Sequence, residues 1–183
     1  MMRRPWILVF ALLVIGCKQT APSASAPDAP KGAASAWHDL AARDNRASVP
    51  LTPPMALHQK ENMRDHLIAI EEILTALAAR DFDTVRAAAS RIGYSPETEQ
   101  MCEHMGAGAE GFTERALHFH RTADRIAEAA QQGDFEGSLA AVAETLATCN
   151  SCHRTFRQEL VDSAAWMGTT GTAPPSDEHA PAH

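Results

Sequence analysis

Residues 134–160 read DFEGSLAAVAETLATCNSCHRTFRQEL. Within them Phe135, Leu139, Val142, Leu146, Cys149, His153, Phe156 and Leu160 advance in alternating steps of four and three. That spacing returns each side chain to one face of an α-helix. Asp134 supplies an oxygen where the first amides of such a helix lack a partner. The pattern predicts one long helix with two cysteines and a histidine on its buried side.

Three further stripes precede it. In residues 55–79, Met63, Leu67, Ile70, Leu74 and Leu77 share a face, and Pro53 and Pro54 stand where a missing amide costs nothing. A second helix is expected over residues 82–92 with Val85, Ala89 and Ile92 inward, broken at 93–96 and resuming through 97–105. After the glycines at 106 and 108, Phe112, Ala116, Phe119, Ala123, Ile126 and Ala130 form a third stripe that ends near Gly133. Ala78-Ala79-Arg80-Asp81-Phe82 and Gln131-Gln132-Gly133-Asp134-Phe135 rhyme, which implies two similar helical hairpins. Short connections favour antiparallel neighbours. The expectation is an all-α, up-down-up-down four-helix bundle spanning residues 55–163.

Cys149-Asn150-Ser151-Cys152-His153 fits Cys-x-x-Cys-His, the attachment sequence for haem c. On a helix the two thiols can reach the two vinyl groups of one haem while the adjacent imidazole addresses the iron. A structural zinc site would need two more convergent ligands, and Cys102 with His104 forms no second pair of the right spacing. A thioredoxin-like redox pair would need a strand and an α/β pattern around it. One covalently attached haem is therefore expected.

The chain ends read differently. Residues 1–16 carry Arg3 and Arg4 before a ten-residue apolar run, too short to span a bilayer and suited to an export signal. Val14-Ile15-Gly16-Cys17 resembles the lipobox of bacterial lipoproteins, which makes Cys17 the expected lipidation site; a plain signal peptide is the alternative. The expected location is the periplasm, held to a bilayer through acylated Cys17, with Lys18 pointing to the outer rather than the inner membrane. Residues 17–54, rich in Ala, Pro and Ser, read as a flexible linker, and 164–183 as a disordered tail. A net charge of −7 argues against nucleic acid. Four cysteines, unevenly placed, do not read as a disulfide framework.

With the attachment motif near the end of its fourth helix, the segment 55–162 resembles the class II cytochromes c, the cytochrome c prime group. The resemblance implies that His153 is the proximal iron ligand and that a residue early in the first helix, near Met63, faces the other side. Met63 is the expected distal ligand and His66, one turn on, its alternative. Depth along antiparallel helices brings Phe112 and Phe119 to the same end, with His120, Met101 and Met105; Phe112, Phe119 and Phe156 are the expected haem-pocket residues. His118 and His120 read as a solvated and a satisfied boundary residue, and Cys102 as a buried thiol. Arg64, Arg121, Arg154 and Arg157 are candidate propionate partners. No catalytic constellation is present in this reading. An exported electron carrier serving a redox partner protein is expected, with a five-coordinate binder of nitric oxide or carbon monoxide as the alternative. The resemblance also allows a homodimer through the first two helices.

Overall fold

The computed structural model describes residues 39–40 and 42–174. The chain divides into two units, Met1–Asp44 and Asn45–His183. The export segment, Cys17 and most of the linker lie outside the described residues, as do residues 175–183.

In the second unit the elements in chain order are β1 (Ala47–Leu51), α1 (Pro53–Ala78), α2 (Phe82–Arg91), α3 (Pro96–Gly106), α4 (Phe112–Gln131), α5 (Phe135–Thr155), β2 (Phe156–Leu160) and α6 (Ser163–Thr170). The unit is mostly helical. Most helix starts have a local cause. Pro53 and Pro96 open α1 and α3, where a helix leaves amides unpaired anyway. Asp81 accepts from the Thr84 amide at 3.1 Å, and Asp134 from the Gly137 amide at 2.9 Å. Ser95 and Thr98 cap α3 reciprocally. The rhyming turns match in backbone as well: Arg80 (φ 58°) and Gly133 (φ 68°) occupy equivalent left-handed positions. Arg80 reaches the second turn directly, its guanidinium 3.6 Å from the centre of the Phe135 ring.

A main core joins α1, α2, α4 and α5 through Ile70, Ile73, Leu77, Val85, Ala89, Ile126 and Val142. The expected α1 stripe is turned by about one position. Ile70 and Leu77 are buried, but Leu67 is 63% and Leu74 41% exposed, while Ala69, Ile73 and Ala76 face inward. Residues 67–74, LIAIEEIL, are apolar on more than one side, so periodicity alone does not choose the inner face.

A second core gathers Val49, Leu51, Met55, Phe112, Phe156 and Trp166. It moves three expected boundaries. The linker expected to run to residue 54 ends earlier, because Val49 and Leu51 are buried in β1. The fourth helix expected to continue through Leu160 stops at Thr155. From there β2 runs parallel to β1, with Ala47 opposite Phe156 and Leu51 opposite Leu160. Pro50 is tolerated in β1 because a two-stranded sheet leaves each strand an open edge. The tail expected to be disordered from 164 forms α6, capped by Asp162 through the Ala165 amide at 2.8 Å. Trp166, fully buried, ties that helix to the second core.

Candidate functional site

Between the two cores lies a cavity of about 500 Å³. Its size falls within the range of small-molecule and cofactor pockets. Helix α5 presents Cys149, Cys152 and His153 to it, within two turns of the helix end. Helix α1 contributes Met63 and His66. Helix α4 adds Phe112, Phe119 and His120, and α3 adds Met101, Cys102 and Met105. With Arg91 of α2, residues from five helices thus meet around one space.

Cys149 and Cys152 are half-buried and unpaired as a disulfide. Burial pushes both thiols above their ordinary pKa, with Arg115 opposing the rise at Cys152. They stand as neutral thiols. His153 borders the cavity yet is exposed. Cys102 is the buried thiol expected, pushed up to about 11 mainly by burial, and it shares the cavity with the other two.

His66 stacks on Phe119, and its ring meets His120 edge-on at 5.4 Å. Burial, aided by His120 and opposed by Asp65, lowers its pKa to about 4. The imidazole is therefore neutral at pH 7, the form in which histidine binds metals. His120 is buried and bonded through Nδ1 to the Ile92 carbonyl at 2.9 Å, whereas His118 is exposed. Met101 is held by the Asn62 amide, 2.9 Å from its sulfur.

Phe156 is not part of the cavity wall. Because α5 ends one residue before it, its side chain leaves the helical stripe and packs edge-on against Phe112 in the second core, centroids 5.4 Å apart. The candidate propionate partners lie off the cavity wall. Arg64, Arg121, Arg154 and Arg157 do not line the cavity; Arg91 and Arg115 do. Arg91 is engaged by Glu72, and Arg115 donates to the Ser151 hydroxyl at 2.9 Å. Spacing alone could not find these two, because each enters from a helix whose rotation about its own axis is fixed only by packing.

Residues 107–157 match the family model described as cytochrome C′. The match supports a class II c-type cytochrome. It spans α4, α5 and the whole Cys149–His153 motif, and the cytochrome c′ family implies a haem cofactor. Comparison with curated proteins and with solved structures returned no match. The cavity fits such a group in size and chemistry: it is largely apolar, and it carries two unpaired thiols three residues apart beside a histidine.

Proposed function

We propose that this cytochrome is a one-electron carrier, with a single haem c joined to Cys149 and Cys152 and its iron held by His153 and Met63. The observation that carries this reading is the sharing of one cavity by the attachment motif on α5 and Met63 on α1. When bound, the haem supplies a one-electron iron couple. The chain's own residues do the rest. Cys149 and Cys152, kept as thiols by burial, are in the form needed to add across vinyl groups. Phe112, Phe119 and Met105, all buried, exclude water from the cavity interior. Exposed Ile68, Arg91 and His153 border the same space, so its rim reaches solvent where a redox partner can approach.

The helices are read as the up-down-up-down bundle of the class, with α2 and α3 together forming its second rod. Cys17 is read as acylated, holding the protein to the periplasmic side of the outer membrane. Leu57, Leu67, Ile68 and Leu74, exposed along α1, support pairing of two copies.

The test is the optical spectrum of oxidised and reduced protein from its native host. Thioether ligation gives a low-spin pattern with a weak far-red band that Met63→Ala abolishes. Persistence of that band in the variant rules out Met63. A low-spin spectrum lost in His66→Ala instead places the ligand one turn on. A high-spin spectrum that shifts with carbon monoxide replaces electron transfer by gas binding.

A further inference from the structure

Helix α5 carries the attachment motif within its last seven residues, so the unpaired carbonyls of a helix C-terminus gather beside the iron-binding histidine. One is satisfied locally: the Phe156 amide returns to the Cys152 carbonyl. The next, that of His153 itself, accepts from Arg46 Nη1 at 3.1 Å. The same Nη1 lies 3.4 Å from the Phe156 carbonyl. Arg46 stands 107 residues away in sequence, immediately before β1, and the register of β1 on β2 sets it opposite the helix end. A guanidinium on these carbonyls offsets the negative end of the helix dipole.

We propose that Arg46 is a positioning residue for the iron ligand, capping the haem-bearing helix through the His153 carbonyl and raising the reduction potential of the bound haem. This rests on the haem reading above. Two consequences of one contact are involved. The bond fixes the backbone from which the His153 imidazole projects. The cation offsets partial negative charge that would otherwise favour the ferric state. Helix-end charge effects of ordinary size correspond to roughly a two- to five-fold change in the ratio of reduced to oxidised protein at fixed ambient potential. For one electron that is about 20–40 mV.

The test compares full-length holoprotein with Arg46→Gln and Arg46→Lys, by potentiometric titration and by the optical spectrum. Arg46→Gln is expected to lower the potential by that amount and to broaden the reduced-state bands. Arg46→Lys, which keeps the charge and can reach one carbonyl, is expected to recover most of the shift. An unchanged potential in Arg46→Gln, or an equal drop in both variants, overturns the proposal. Mass analysis of the peptide bearing Cys149 and Cys152 runs alongside: absence of porphyrin mass in the parent sinks the haem reading, whereas haem present with an unmoved potential sinks the role of Arg46 alone. If Arg46→Gln does not accumulate, the Lys variant still decides, since a drop there as large as two- to five-fold contradicts a charge-based cap.

Discussion

His66 lies against Phe119 in a stacked pair, ring centroids 4.6 Å apart and planes 27° from parallel, with His120 closing one edge. The pair fixes the imidazole in an apolar box and keeps its proton off. Folded His66 takes up a proton only near pH 4, whereas the unfolded chain does so at its ordinary value of 6.5. Between these values the unfolded state binds more protons, so stability rises with pH and is lost as pH falls. The pKa of His120 is also lowered, and it acts in the same direction. The expected loss for His66 approaches about 3 kcal/mol at the acid end of the window. Urea midpoints of the haem-free chain at about pH 7 and about pH 4.5 should separate clearly, and His66→Leu should draw them together.

Trp166→Ala is expected to destabilise the protein by about 3–5 kcal/mol, the usual effect of emptying a large buried aromatic site. Its indole nitrogen has no hydrogen-bond partner among the described residues, so packing alone accounts for the loss. Chemical denaturation measures it; a change below about 1 kcal/mol would mean that α6 does not hold the second core together.

The sequence made the fold and the site legible only in part, and the same residues show why. Cys149, Cys152 and His153 stand out because their spacing has a chemical reason independent of context. The α4 stripe emerges as expected, with Phe112, Phe119, Ala123, Ile126 and Ala130 all buried. Val49, Leu51 and Trp166 are hidden by their neighbours: each sits in a short segment rich in Pro, Ser or Thr, too brief to show a period. Phe156 misleads because its helical phase is right while its helix is one residue too short. The cavity wall formed by Arg91 and Arg115 depends on how whole helices rotate, which no local pattern encodes.

The matching turns make a paired prediction. Asp81→Ala and Asp134→Ala should each cost about 1 kcal/mol through loss of an N-cap. Gly133→Ala should cost about 1–2 kcal/mol, since φ is 68° there and an added Cβ meets open space, leaving backbone strain as the only penalty. Thermal midpoints of the three variants check this; a neutral Gly133→Ala would mean the turn relaxes out of the left-handed region.

Single replacements Cys149→Ser and Cys152→Ser should each leave at most one thioether, and the double replacement should leave haem extractable by acidified solvent. Haem staining of a denaturing gel reads the outcome. Retention of covalent haem in the double variant would point to Cys102, the third thiol on the same cavity wall.

The pairing of Ala47 with Phe156 also dictates an order of events. Bringing together segments so distant in sequence costs chain entropy that neighbouring helices do not face. The two strands are therefore expected to close after the helical hairpins have packed. Until they do, Cys152, which packs against that second core, can still be reached.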